Sequence, residues 1–495
     1  MRVLYIDIDS LRADHLGCYG YHRPTSPNID ALAADGVRFE NLYISDAPCM
    51  PSRTALFGGR FGIHNGVVNH GGTASQPFVE GPERGFESML GKTSWMRTLR
   101  DIGYHTATVS PFAERHSAWH WYANFNEVHN TGKKGMERAD EVAEVVLDWL
   151  GRRGADGDDR WFLHVNLWDP HTPYRCPDDF GEPFAGHPLP AWYTEDVRAE
   201  HWSQPGPHSA QEVNGYDHES TTFDGDFPRQ PVVIDSMDAA RAMFDGYDAG
   251  TLYADLCIGK IFQKLRDLGL WDQTVILIGA DHGENLGELN IYGDHQTADQ
   301  ITCRVPLVVR WPGITDGRGG SVDRGLHYHL DFAATLTALL GGKVPGNWDG
   351  RPFDRAFAEG AESGREYLVV SQGAWCAQRG VRFEAAGKSW IYLLTYHDAY
   401  HGYDEKMLFN LTDDPHEQRN LSRSEPDLAR HGQSLLEQWH RQMMQTAEGR
   451  PDPMETVIEE GGPLHAQIDL SAYLKRLRET GRAAWADRLA AQYGV

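Results

Sequence analysis

Val3-Leu4-Tyr5-Ile6-Asp7-Ile8-Asp9-Ser10 opens the chain as an apolar, β-branched run that ends in carboxylates. A short continuous run of this kind reads as a strand buried on both faces. Two later stretches repeat the form. Thr274-Val275-Ile276-Leu277-Ile278 leads into Asp281-His282-Gly283-Glu284, and Trp161-Phe162-Leu163-His164-Val165-Asn166 leads into Asp169-Pro170-His171-Thr172-Pro173-Tyr174. Each strand is thus followed by acids or histidine. Residues two apart in a strand share a face, so Asp7 and Asp9 point the same way.

Strand-like runs over 3–8, 106–109, 161–166, 274–278 and 305–309 alternate with helical patterns over 28–35, 92–102, 139–151, 243–268 and 331–340. That alternation predicts an α/β fold, a large mostly parallel sheet sandwiched by helices. In such sheets the ligand site lies beyond the carboxyl ends of the strands, where the acids are. Residues 177–235 are rich in Pro, Gly, His and Asp and read as a long insertion loop on the surface near the site. Composition shifts near 341–366. Strand patterns over 367–371 and 390–395, with a helix over 421–444, then indicate a smaller C-terminal α+β unit. The expected division is a catalytic domain over 1–360, an α+β subdomain over 361–448 and a helical tail over 449–495. A helix over 470–493 in that tail packs on the body or on another subunit of a homo-oligomer.

The 495 residues are 40% hydrophobic and 24% charged, with a formal net charge of −25. That acidity argues against a nucleic-acid partner, because phosphates need Lys and Arg. It does not exclude anionic substrates, since a bound cation inverts the local field. No apolar run is long enough to span a bilayer, so no membrane partner is expected. No signal-peptide pattern precedes the first strand, and the expected location is cytoplasmic. The six cysteines are scattered singly, without a C-x-x-C pair, and form neither a disulfide framework nor a structural zinc pattern.

Cys49 is set apart by its neighbours, Met50-Pro51-Ser52-Arg53-Thr54-Ala55-Leu56. Pro51 suits a first helical turn, which places Cys49 at a helix N-terminus. Taken alone, that position predicts a low-pKa thiolate, against the plainer alternative of a buried inert thiol. The strand-end carboxylates suit one hard divalent cation, Ca²⁺ first and Mg²⁺ next. The histidine beside Asp281 leaves Mn²⁺ or Zn²⁺ open. A lone acid at such a place is more often a cap or a turn residue. Three on one sheet edge favour a site.

Cys49-x-Pro51-Ser52-Arg53 resembles the modification motif of the type I sulfatases, in the alkaline phosphatase-like superfamily, whose cysteine is oxidised to formylglycine. The resemblance continues through Asp9-Ser10-Leu11-Arg12-Ala13-Asp14-His15, Thr25-Ser26-Pro27-Asn28, Pro170-His171-Thr172-Pro173-Tyr174, Asp281-His282-Gly283-Glu284 and Asn410-Leu411-Thr412-Asp413. It implies a metal-dependent sulfate-ester hydrolase whose formylglycine comes from Cys49 through a formylglycine-generating maturase. The substrate would be a small-molecule or glycan sulfate ester. Asp9, Asp281, His282 and the modified Cys49 match metal-ligand positions. Ser10 stands where relatives carry another Asp, and Asp7 is the substitute on the same strand face. Arg53 would hold the nucleophile. His171 would contact the leaving group, and His295 falls where relatives carry Lys. Either histidine would protonate the leaving oxygen.

Two departures stand out. The Gly-Lys-x-His segment of many sulfatases is replaced by Ser110-Pro111-Phe112-Ala113, and His70, Arg115 or His116 are the candidates for its role. Phosphonate monoester and phosphodiester hydrolases on the same scaffold can also lack that segment, and they are the alternative reading. A catalytically silent binding protein is the third. Trp119-His120-Trp121, Trp168 and Trp192 either line a substrate pocket or pack in the core.

Overall fold

The computed structural model describes residues 1–79, 89–156, 160–206 and 227–495. Eight strands form one sheet in the order Ser321–Tyr328, Val37–Tyr43, Arg304–Arg310, Thr274–Gly279, Arg2–Ile8, Trp161–Leu167, His105–Val109, Glu127–His129. Neighbours are parallel except around Arg304–Arg310, which runs antiparallel to both its partners. The fold is the α/β class expected. The three apolar runs that end in acid or histidine are its three central strands, buried throughout. Asp7 lies in register with Asn166 on one side and Gly279 on the other, which brings the three strand ends level.

Helix Met237–Asp267 packs with Ala139–Asp156 and Pro27–Asp35, while Cys49–Gly58, Trp95–Asp101 and His329–Leu339 pack with one another. These two groups cover the two faces of the sheet, and long apolar strands between them supply the main core. Several local expectations shift. The helix over 92–102 is interrupted at Ser94, whose side chain accepts from Arg97 N–H and caps a new helix. The strands Val37–Tyr43 and Ser321–Tyr328 were not foreseen. They lie toward one edge, where alternate residues stay partly exposed and polar, so they lack the apolar run that marks the centre.

A second sheet has the order Lys406–Asn410, Lys388–His397, Ala377–Ala385, Tyr367–Gln372, Asp46–Ala47. Its last pairing is parallel, with Ser371 opposite Asp46 and Gln372 opposite Ala47. The edge of this smaller sheet therefore ends two residues before Cys49. Helix Pro426–Thr446 packs across it. The expected helix over 470–493 is a pair, Leu470–Glu479 and Ala483–Tyr493, broken where Gly481 takes φ 81°. Of the expected loop over 177–235, residues 207–226 lie outside the described part. Its described flanks are not wholly surface, because Tyr193 and Ile234 join Tyr174, Met243, Phe244 and Tyr247 in a second apolar cluster. Among the described residues no helix is long and apolar enough to cross a membrane.

Candidate active site

The strand ends converge on Arg53. Its Nε donates to Asp7 Oδ2 at 2.8 Å, and one terminal nitrogen donates to Asp9 Oδ2 at 2.9 Å and Asp281 Oδ2 at 2.7 Å. All four side chains are buried. The expected common face of Asp7 and Asp9 is realised through this shared guanidinium. Phe112 lies 4.8 Å and Trp168 5.9 Å from the guanidinium carbon, so the far side of Arg53 is walled by aromatic rings. The other terminal nitrogen, Nη2, is buried without a hydrogen-bond partner.

Three buried carboxylates around one guanidinium leave negative charge that either a proton or a further cation must offset. Burial opposes ionisation of Asp9, but Arg53, His171 and His282 together hold it well below the usual carboxylate range. Burial pushes Asp281 up, and the pull of Arg53 does not offset it with Asp9 and Asp7 alongside. His282 supplies the second sign. Its Nδ1 donates to the Gly283 carbonyl at 2.8 Å, so the lone pair sits on Nε2. That Nε2 is buried without a hydrogen-bond partner, 3.4 Å from Asp281 Oδ2 and 3.7 Å from Asp9 Oδ1. A lone pair facing two carboxylate oxygens is the arrangement a bound cation resolves, and Asp9, Asp281 and His282 place their donor atoms within 4.8 Å of one another. The donor set therefore fits the divalent cation expected. Asp7 Oδ2 meets Arg53 and, at 3.2 Å, His164 Nε2, while Asp7 Oδ1 is buried without a hydrogen-bond partner among the described residues.

Ser10 takes φ 61°, a left-handed conformation unusual for a side-chain-bearing residue. Its N–H donates to Asp281 Oδ1 and its hydroxyl to Asp9 Oδ1, both at 3.3 Å. Tyr247 O–H holds the turn by donating to the Ser10 carbonyl at 2.7 Å. Ser10 thus orients two carboxylates from the position where an acid was expected.

Cys49 is the first residue of helix Cys49–Gly58, as the sequence predicts. Its thiol is not the low-pKa group that a helix N-terminus alone suggests. Burial pushes it up, Asp9 and Asp281 push it further, and the pull of Arg53 and Arg115 does not compensate. Burial first, and the two carboxylates next, thus oppose the thiolate form of unmodified Cys49.

His171 borders Asp9, and His295 lies beside His282 and Cys49. His171 Nε2 is 3.8 Å from Asp9 Oδ1, and its Nδ1 donates to the Thr172 carbonyl. Burial pushes His171 down to about 3. The His295 ring lies 4.1 Å from that of His282, and its Nδ1 is buried without a hydrogen-bond partner. Burial and neighbouring histidines push His295 well below the usual range.

The three candidates for the missing Lys and His all reach the site. His70 Nε2 is 3.8 Å from Cys49 Sγ, and the ring of His116 lies 5.0 Å from that of His70. Arg115 stacks 5.2 Å over Trp168. Two residues had no signal in the sequence. Arg175 is buried behind His171, donating to the carbonyls of Trp168 and Thr172, and burial lowers it to about 10. His465, from the tail, shares a 3.0 Å hydrogen bond with His70 Nδ1 and stacks 4.3 Å from Trp375. The aromatic candidates divide. Trp168 underlies the site arginines, Trp121 packs in the core against Phe57 and Phe112, and Trp192 stacks on His416.

A mostly parallel sheet between helical layers, with carboxylates at its carboxyl edge and a cysteine-headed helix facing them, defines a hydrolase of the alkaline phosphatase-like class. A family model described as Sulfatase matches residues 2–342, and the chain belongs to the sulfatase family. It is 25% identical over 432 residues to the multifunctional alkaline phosphatase superfamily protein PehA of Trinickia caryophylli, covering 73% of this chain and 78% of that one. It is 21% identical to an N-acetylglucosamine-6-O-sulfatase of Bacteroides thetaiotaomicron, covering 93% of this chain and 89% of that one. Its fold matches a phosphonate monoester hydrolase of Agrobacterium radiobacter with a TM-score of 0.66 and 20% identity, over 89% of this chain and 96% of that one.

Proposed function

We propose that this enzyme is a metal-dependent sulfate-ester hydrolase whose nucleophile is a formylglycine derived from Cys49. The observation that carries the reading is the convergence of Cys49 and Arg53 on the Asp9, Asp281 and His282 donors. A divalent cation held by those three residues and position 49, Ca²⁺ or failing that Mg²⁺ or Mn²⁺, would supply Lewis acidity to the ester oxygens and to the attacking hydroxyl. Formylglycine would supply a nucleophile restored when sulfate leaves, which neither a thiol nor a serine hydroxyl provides.

The chain's own residues do the rest. Arg53 fixes Asp9 and Asp281 in place and keeps Nη2 for an anionic oxygen. Phe112 and Trp168 exclude water behind it. His171 or His295 would protonate the leaving oxygen after first taking up a proton, since burial favours their neutral forms. In this reading residues 1–360 supply the chemistry, 361–448 brace the strand before Cys49, and the tail from 449 sets His465 against His70. Co-expression with a maturase should lower the intact mass at the peptide holding Cys49. Aryl sulfate turnover should then appear, vanish on chelation and return with the cation.

A second reading, phosphonate monoester or phosphodiester hydrolysis, is supported by Ser110-Pro111-Phe112-Ala113, which stands where many sulfatases carry Gly-Lys-x-His. The histidines nearest Cys49 and His282, namely His70, His116 and His295, are all driven toward the neutral form by burial. They add no fixed positive charge of the kind a lysine brings. Sulfate esters, phosphodiesters and phosphonate monoesters all present a single negative charge, so Arg53 serves each of them. Faster turnover of phenyl phosphonates or bis-aryl phosphodiesters than of aryl sulfates would overturn the first reading in favour of this one.

A further inference from the structure

Cys49 faces two different sets of donors. On one side lie the oxygens of Asp9 and Asp281 with His282. On the other, among the described residues, lie the imidazoles of His70 and His116, with Arg115 close by. His70 Nε2 approaches Sγ to 3.8 Å, and the donor atoms of Cys49, His70 and His116 all fall within 4.8 Å of one another. His116 Nε2 is buried and has no hydrogen-bond partner. His70 is oriented from behind, because its Nδ1 shares the 3.0 Å hydrogen bond with His465. His465 is itself held by its ring on Trp375 and by its backbone N–H, which donates to the Ala374 carbonyl at 3.0 Å. With Nδ1 as the donor to His465, His70 presents the Nε2 lone pair to Cys49. An imidazole fixed in this way by a second residue is the usual setting of a metal-binding histidine. One sulfur and two imidazole nitrogens are a borderline-soft set that suits Zn²⁺, whereas the carboxylate side suits a hard cation. His70 and His116 are partly exposed, which leaves a path for an ion.

We propose that the chain with Cys49 unmodified binds one Zn²⁺ through Cys49 Sγ, His70 Nε2 and His116 Nε2, with the fourth position open to water. On binding, the sulfur–hydrogen bond is lost, a sulfur–zinc bond forms and the proton passes to solvent. No electrons are transferred. His282 and His295 also lie within reach of Sγ, but His282 Nε2 is directed at Asp9 and Asp281. The consequence, which rests on the formylglycine reading, is that oxidation of Cys49 removes the only sulfur ligand. Modification would then exchange a zinc-holding thiol for a residue that serves the carboxylate-bound cation. The zinc site itself requires only the thiol, so its failure and the failure of the catalytic reading are separable.

The test uses the full chain produced without maturase, titrated with Co²⁺ as a spectroscopic probe and then with Zn²⁺. The expected result is a sulfur-to-cobalt charge-transfer band saturating at one equivalent, displaced by Zn²⁺, and missing from Cys49→Ala. His70→Ala and His116→Ala should weaken binding by about 100-fold or more, and His465→Ala by about 10- to 100-fold. His70→Cys and His116→Cys should restore it, which separates loss of a ligand from loss of fold. Asp281→Asn, its melting temperature checked, should keep the band. The proposal is overturned if no band appears, if both histidine-to-alanine variants retain it, or if it disappears with His295→Ala or Asp281→Asn instead.

Discussion

The two halves of this active site are built differently. The acidic half sits on the ends of three adjacent central strands, where Asp7 and Asp9, Asp281 and His282, and His171 follow buried apolar runs. Sheet register alone brings those residues level. The histidine half is assembled from distant pieces. His70 follows the helical segment after Cys49, His116 ends a short helix, and His465 arrives from the tail. The acidic half is charged and cross-linked by one guanidinium, whereas His70 and His116 of the histidine half are driven toward neutrality by burial. Strand ends give a charged platform, and loops and the tail give a wall of imidazoles.

The largest way to break this picture lies where the halves meet. Cys49→Ala should lower turnover by about 10⁴-fold or more, with the melting temperature little changed, measured on maturase-treated protein. Retained activity would remove position 49 from the chemistry.

Next comes the cross-link of the acidic half. Arg53→Lys cannot reach Asp7, Asp9 and Asp281 at once, because an ammonium lacks the planar fork. A loss of about 10²- to 10³-fold in kcat/KM is expected, together with a lower melting temperature, since buried carboxylates lose their partner. Full activity in the lysine variant would show that any cation suffices there.

The histidine half depends on how the tail is fastened. Arg379 donates twice to Asp452, each bond 2.6 Å, and Asp452 also caps helix Pro453–Glu459. Asp452→Asn should cost about 3–5 kcal/mol, read by denaturant unfolding. The folded pKa of Asp452 lies below its unfolded value, because Arg379 and His440 outweigh the opposing effect of burial. This stabilisation is therefore complete above about pH 4 and is lost as the pH falls below it. The asparagine variant should lose that part of the acid sensitivity, and an unchanged acid transition would remove the pair from the account.

The smallest effect should come from His465→Ala, which removes only the partner behind His70. A fall of about tenfold in kcat/KM is expected, with unchanged affinity for the activating cation. A matching loss of cation affinity would mean that the halves are not separate.

Much of the acidic half is legible in the sequence. A continuous apolar run must be a buried strand, and acids directly after several such runs must gather at one sheet edge. Cys49 at a helix start follows from Pro51, and the same local logic places Asp9, Asp281 and His282. Local logic fails where several charges act together. The helix N-terminus at Cys49 argues for a thiolate, yet Asp9, Asp281 and burial override it. It fails again one strand in from the sheet edge, where Val37–Tyr43 carries polar residues that conceal a strand.

The sequence by itself determined the central strands, the acidic strand ends and the cysteine at a helix start, because each rests on periodicity or spacing within a few residues. Only the tertiary structure decided that Arg53 would bind three carboxylates, that Ser10 would orient two of them, and that His70, His116 and His465 would meet beside Cys49. Those contacts join residues up to 395 positions apart in the chain. No local pattern encodes them, because they arise when packed layers bring loops and the tail over the same sheet edge.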